Sequence, residues 1–177
     1  PSVTLDSGAV GTIELDETNL VGASQSISAA NFAQGVFTSS YGADGAAKAL
    51  AFVYSLTVSS NAVNSGLTDT ASGESILLRV NASGQVEGYT ATGNQIVFTV
   101  LINSASGALT LQQLRAIQHS NTADHDDVVS IANTAIRLQG VAKDGDGDTA
   151  SQSVDIGGKI SFKDDGPTFA APANTSV

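Results

Sequence analysis

Cysteine, methionine and tryptophan are all absent from this chain of 177 residues. Without cysteine there can be no disulfide framework, no thiolate metal site and no thiol nucleophile. Basic residues are scarce: 7 Lys and Arg stand against 17 Asp and Glu, a formal net charge of −10. With a sequence pI near 4.2, no basic patch is available to offset phosphate repulsion, which excludes nucleic acid as a partner. Docking onto an anionic bilayer is disfavoured for the same reason. Long apolar runs are missing too; the longest, Ile96–Ile102, is interrupted by Thr99, so no direct membrane insertion is expected. No basic-then-apolar leader opens the sequence, which fits either a cytosolic protein or a piece of a larger exported chain. An exported chain without disulfides needs another staple, and bound metal is the usual one. Divalent cations are the natural counter-charge here.

What is present is enough for a folded domain. Leu, Ile, Val and Phe number 45 of 177 residues, above the level of disordered chains. Short runs of β-type residues bounded by turn residues dominate. Val3–Leu5 and Val10–Leu15, separated by Asp6-Ser7-Gly8, predict an N-terminal hairpin. Further strands are expected at 49–59, 74–80, 96–102, 108–111, 128–131, 135–141, 151–156 and 160–162. Ile96–Ile102 is apolar on both faces, as a central strand would be. The set predicts an all-β fold, a β-sandwich of seven or more strands, with Val97, Leu101, Val154, Ile156, Ile160 and Phe162 in its core. One or two short helical turns are expected: Ser28–Gly35, and a turn capped by Thr110 in which Leu111, Leu114 and Ile117 share a stripe that His119 closes.

Acidic residues are unevenly placed. Nine of the thirteen Asp lie between Asp124 and Asp165. In Asp144-Gly145-Asp146-Gly147-Asp148, alternate carboxylates can converge on one centre while glycine permits the curvature. Calcium takes oxygen ligands of this kind. The alternative is a solvated acidic turn. An EF-hand is disfavoured, because Thr149 and Asp155 occupy the positions that would need Gly and Glu. Asp164-Asp165-Gly166-Pro167 follows the last apolar run, and Asp16-Glu17 follows the first. These pairs could hold calcium between adjacent modules or could be soluble turns. Asp124, Asp126 and Asp127, beside His125, form either another site or an ordinary polar loop.

Catalysis finds little support. The two histidines, His119 and His125, are six apart, whereas helical zinc pairs sit four apart. Glycoside hydrolysis needs an aromatic-lined cleft, and the chain has only 3 Tyr and 6 Phe. No phosphate loop exists, so no enzyme is expected. Asn81-Ala82-Ser83 and Asn174-Thr175-Ser176 match a glycosylation triplet too short to be specific.

The series Leu15-Asp16-Glu17-Thr18, Tyr41-Gly42-Ala43-Asp44-Gly45, Asp144–Asp148 with Thr149, and Asp164-Asp165-Gly166-Pro167 resembles the repeated extender modules of giant bacterial RTX adhesins, which leave the cell by type I secretion. The resemblance implies an immunoglobulin-like β-sandwich in a tandem array on a Gram-negative cell surface, stiffened by calcium to project a ligand-binding tip. Pro1-Ser2-Val3 and Pro167-Thr168-Phe169 share a pattern that such an array would repeat. No GGxGxD tract is present, so this is not the secretion region. The expected organisation is one module over residues 1–166, with 167–177 a linker or the start of the next. Its expected metal ligands are Asp16, Glu17, Asp124, Asp126, Asp127, Asp144, Asp146, Asp148, Asp164 and Asp165, its cofactor Ca2+, and its partners adjacent copies of the same module in the same chain; the isolated module would be monomeric. The competing reading is a carbohydrate- or peptide-binding sandwich module of a secreted protein.

Overall fold

The computed structural model describes residues 1–20, 24–121 and 123–165. Gly166, the expected linker at 167–177 and the Asn174 triplet lie outside them. Along the chain the strands are β1 (Ser2–Leu5), β2 (Ile13–Asp16), β3 (Gln25–Ala29), β4 (Phe37–Ser40), β5 (Phe52–Val58), β6 (Val63–Thr68) and β7 (Ser75–Val80). They continue with β8 (Val86–Thr90), β9 (Ile96–Ile102), β10 (Leu109–Gln113), β11 (Val128–Ser130), β12 (Ile136–Lys143), β13 (Thr149–Asp155) and β14 (Ile160–Lys163). The structure is all-β and sandwich-like. A six-stranded sheet runs in the order β3-β10-β9-β8-β7-β6; facing it are a β13-β12-β5 sheet and a β11-β14-β2 sheet, and the β1-β4 pair packs beside β13 and β12. All pairings are antiparallel except β14 with β2. Five 3-10 turns are the helical content among the described residues.

One apolar cluster joins the layers. β8, β10 and β12 alternate buried and less buried residues, the period-2 signature of a half-buried strand. Val97, Phe98, Val100, Leu109, Leu111, Leu138, Ile156, Ile160 and Phe162 are fully enclosed, and the Phe98 and Phe162 rings meet at 5.1 Å between centroids. The central placement of β9 agrees with its two apolar faces. Leu101 departs from expectation: it is 41% exposed, because it takes the outward position of β9. Val154 packs on the core only in part.

The N-terminal hairpin does not form. β1 pairs with β4, while β2 pairs in parallel with β14 in a different sheet. Asp6 does not turn the chain back; its carboxylate caps a 3-10 turn by accepting from Gly8 N–H at 3.0 Å, and the chain runs on. It crosses between sheets where Gly11 N–H donates to the Phe32 carbonyl at 2.8 Å. A Cβ on Gly11 would lie 3.0 Å from the Phe32 Cα, so glycine is what allows this close pass. The result is one interrupted strand, and it carries Glu17 away from the Asp144 turn.

Neither predicted helix forms. Residues 28–36 finish β3 and then make successive turns, with Phe32, Gln34 and Val36 N–H each bonded to the carbonyl three residues back. Residues 109–113 are β10; the chain then bends at Arg115, where Leu114 and Arg115 N–H both donate to the Val97 carbonyl, and runs on past the Ile117–Asp69 bridge to His119 without forming a helix. Leu111, Gln113, Ile117 and His119 face inward at alternate positions, while Leu114 is 42% exposed. Leu111 and Ile117 fit both a 3.6-residue and a 2-residue period; Leu114 separates the two, and it points out.

Candidate metal centres

The first centre sits on the β12–β13 hairpin. Seven registered pairs, from Arg137–Asp155 to Lys143–Thr149, lead to the turn at 144–148. Asp144 N–H donates to the Asp148 carbonyl at 3.0 Å, and Gly147 supplies the left-handed φ of 105° that closes the turn. A second segment is strapped to it: Ala46 bridges to Asp144, and Gly145 N–H donates to the Gly45 carbonyl at 3.0 Å. A Cβ on Gly145 would lie 2.5 Å from the Asp44 carbonyl oxygen, so the glycine lets the 3-10 turn Gly42–Asp44 approach.

This contact brings carboxylate oxygens of Asp44, Asp144 and Asp146 within 4.8 Å of one another. Asp144 is buried, and its Oδ1 has no hydrogen-bond partner among the described residues. A hydrogen bond between Asp144 and Asp146 requires a shared proton. That bond holds Asp144 below the ordinary carboxylate value and Asp146 above it. Lys48 and Lys143 line the same open cleft, of about 670 Å3. Three converging oxygens with one unsatisfied and buried are the kind of donor set a hard cation takes. Asp148 supports the turn through its backbone and stays outside the carboxylate group.

The second centre lies at the other end of the sandwich. β2 and β14 are parallel, so the residues that follow them, Glu17 and Asp164, emerge side by side. The segment after β10 is pinned along β6, with Gln118 N–H on the Thr68 carbonyl at 2.8 Å and Thr70 N–H on the Ala116 carbonyl at 3.0 Å. Arg115 anchors it by a two-pronged pair with buried Asp69, at 2.9 and 2.8 Å. His119 therefore points inward beside Glu17 and Asp164, and ligand atoms of the three lie within 4.8 Å of one another.

Glu17 is 4% exposed. Burial pushes its carboxyl above the ordinary value, against the pull of Ile117 N–H at 3.0 Å and of the Gln113 side-chain amide. The His119 side chain is 3% exposed, and neither ring nitrogen has a hydrogen-bond partner among the described residues. Nε2 stands 3.9 Å from Glu17 Oε1 and Nδ1 3.9 Å from Asp127 Oδ2. Both gaps are too long for hydrogen bonds.

The remaining expected ligands go elsewhere. Asp16 caps Thr18 through that residue's N–H and hydroxyl, which hold its carboxyl below the ordinary value. Asp126 pairs with Lys163 at 2.8 Å. Asp124 accepts from the Asp126 N–H, and Asp127 from the Ser120 and Asn121 N–H groups, so these three carboxylates do not converge. Asp165 is exposed and lines the cleft beside Glu17. Sequence reasoning missed His119 as a candidate ligand; its alternation with Ile117 and Gln113 was the available signal. Asp44, in the Tyr41–Gly45 motif, was expected to face solvent or calcium, and its carboxylate partners Asp144 and Asp146 were not anticipated.

No helix among the described residues is long and apolar enough to cross a membrane, which says nothing of β-barrels. Comparison with curated proteins and with solved structures gives no match. The span from residue 12 to residue 157, which carries Glu17, Asp44, His119, Asp144 and Asp146, matches the family model described as "Domain of unknown function (DUF5801)", and the chain belongs to that family.

Proposed function

We propose that this chain is a calcium-stabilised structural spacer, one module of a long cell-surface adhesin outside a bacterial cell. The observation that carries the reading is the convergence of Asp44, Asp144 and Asp146 around the unsatisfied, buried Oδ1 of Asp144. Three carboxyl groups drawn together by backbone contacts cannot all be ionised without repulsion unless a cation joins them. The sequence resemblance to RTX adhesin extender modules supplies the context: an immunoglobulin-like sandwich, tandem copies, and export by type I secretion. Calcium bound where one copy meets the next would convert a flexible string into a rod.

The carbohydrate- or peptide-binding alternative would use the aromatic group Phe37, Phe52 and Tyr54, whose rings lie 5.1 to 6.1 Å apart. Those rings cover Gly107 and Gly140, so their faces are engaged in packing. The spacer reading is preferred. Thermal melting with and without calcium tests its core. A ligand held by the folded state alone stabilises it by roughly 2.7 kcal/mol at a hundredfold excess over Kd. Calcium should raise Tm, and Asp146→Asn should remove most of that rise. Small-angle scattering of two copies joined in tandem tests the mechanical part: calcium should lengthen the maximum dimension. A pair equally extended with and without calcium refutes the stiffening role.

A further inference from the structure

The His119 end is built from different chemistry than the Asp144 end. Its ligand set contains an imidazole, and hard calcium takes oxygen, whereas imidazole with carboxylates suits zinc and its neighbours in the first transition series. A neutral imidazole has one donor and one acceptor, and burying both unsatisfied is costly. Among the described residues the β2 end offers Glu17, the loop before β11 offers Asp127, and the residues after β14 offer Asp164, yet neither nitrogen is hydrogen-bonded to any of them.

We propose that Glu17, His119 and Asp164 form a binding site for a borderline divalent metal ion of the Zn2+ class. His119 Nε2 is the nitrogen ligand, since it faces Glu17 Oε1 at 3.9 Å. Zinc bonds to nitrogen and carboxylate oxygen are about 2.0–2.2 Å long, so one ion can bridge that gap. The opposite nitrogen, Nδ1, faces Asp127 Oδ2 at 3.9 Å, so a closer approach on metal binding would complete the carboxylate–histidine–metal arrangement that fixes the tautomer and the ring direction. Asp127 is a positioning residue, itself held by the Ser120 and Asn121 N–H groups, and its backbone carbonyl accepts the Asp164 N–H at 2.9 Å. One short loop thus orients the ring and tethers a ligand. An open cleft of about 340 Å3, lined by Glu17, His119, Asp164 and Asp165, gives the ion a way in and leaves room for water as a further ligand. Glu17 and His119 lie within the span that defines the family, and Asp164 lies beyond it. The assignment does not depend on the spacer reading.

The test is a Zn2+ titration of the untagged chain, followed through the imidazole nitrogen resonances. The protein has two histidines, so exposed His125 is an internal control. One equivalent of Zn2+ should move the His119 resonances and leave those of His125 in place, and a tenfold excess of Ca2+ should not reverse the change. Asp127→Asn should weaken binding by roughly 10- to 100-fold through the lost support of Nδ1, and His119→Gln by at least as much. Asp146→Asn should leave Zn2+ affinity unchanged while removing the calcium response, which separates this site from the one at the other end. The proposal is overturned if Zn2+ shifts only His125, if His119 does not respond, or if equimolar Ca2+ displaces the ion. Should His119→Gln fail to fold, the resonances of the native protein still decide.

Discussion

The two ends of the sandwich handle acidic residues in opposite ways. At the Asp144 end, backbone contacts between two loops bring three carboxylates together and leave one buried oxygen without a donor. At the His119 end, most acids have a dedicated partner: Asp69 has Arg115, Asp126 has Lys163, Asp127 has two backbone N–H groups, and Glu17 has an N–H and an amide. One end is therefore a charge deficit held in place by the backbone, and the other a network in which hydrogen-bond donors balance most of the acceptors around a single unsatisfied ring. Removing a charge should have opposite signs at the two. At the balanced end it strands a partner, and at the deficit end it relieves repulsion.

The largest effect is expected from Arg115→Met. Asp69 is fully buried, and its carboxylate takes both prongs of the guanidinium besides the Ser72 N–H and hydroxyl. Methionine keeps the length of the side chain and removes the charge. Breaking a buried pair from one side costs about 3 kcal/mol, because the remaining carboxylate keeps its desolvation and loses its cation. Urea denaturation should show that loss with an unchanged slope. Because Arg115 fixes the segment that carries His119, Zn2+ affinity should fall as well. A stable Arg115→Met protein would break the comparison by showing that the network is not needed to hold this end.

Acid should loosen the same end next. The Arg115 guanidinium, with help from Ser72, holds the Asp69 carboxyl at about 2, against an ordinary value of 3.8. Between those values the unfolded chain binds a proton that the folded chain does not, so stability rises with pH across this interval. The contribution is fully present above about pH 4 and is lost as pH falls toward 2. It amounts to about 2 kcal/mol from the size of the shift. Denaturation midpoints measured from pH 5 down to pH 2 should show this limb in the native protein. Arg115→Met should flatten it, and an unchanged limb would assign the acid sensitivity to another carboxylate.

The two ends were unequally legible in the sequence. Asp144, Asp146 and Asp148 stand two residues apart, so local spacing alone announces a turn that gathers charge. Asp44 arrives from a hundred residues earlier through the Gly145–Gly45 contact, which no local pattern encodes. His119 was hidden by an ambiguity of period, since Leu111 and Ile117 satisfy a helical stripe and a strand equally well. β6 and β8 escaped notice because glycine interrupts their alternation. Gly88 lies in β8 because the Phe98 ring covers it; a Cβ there would stand 2.5 Å from the ring. β3 and β4 read SISA and FTSS and are largely exposed, so they bury too little apolar surface to show as strands. The false hairpin came from treating Asp6-Ser7-Gly8 as a reversal. Which sheet a strand joins depends on partners such as Ile160 and Phe162, almost 150 residues away along the chain.

The smallest expected effect sharpens the comparison from the other side. Asp146→Asn keeps the size of the side chain and its acceptor oxygen for the Asp148 N–H, a long contact of 3.5 Å, while removing one of three converging charges. The shared hydrogen bond with Asp144 already raises the Asp146 carboxyl above its ordinary value, a sign that its ionised form is disfavoured beside Asp144. In a chelator, where no cation offsets the repulsion, the Asn variant should melt at the same temperature as the native chain or slightly above it. In excess calcium the order should invert, because the native chain gains a ligand that the variant holds poorly. The crossing of the two orders is the diagnostic, since a merely structural Asp146 would lower the melting temperature equally in both buffers. A variant that melts lower in chelator would mean that the three carboxylates are stabilised by their surroundings and that this end is not a charge deficit after all.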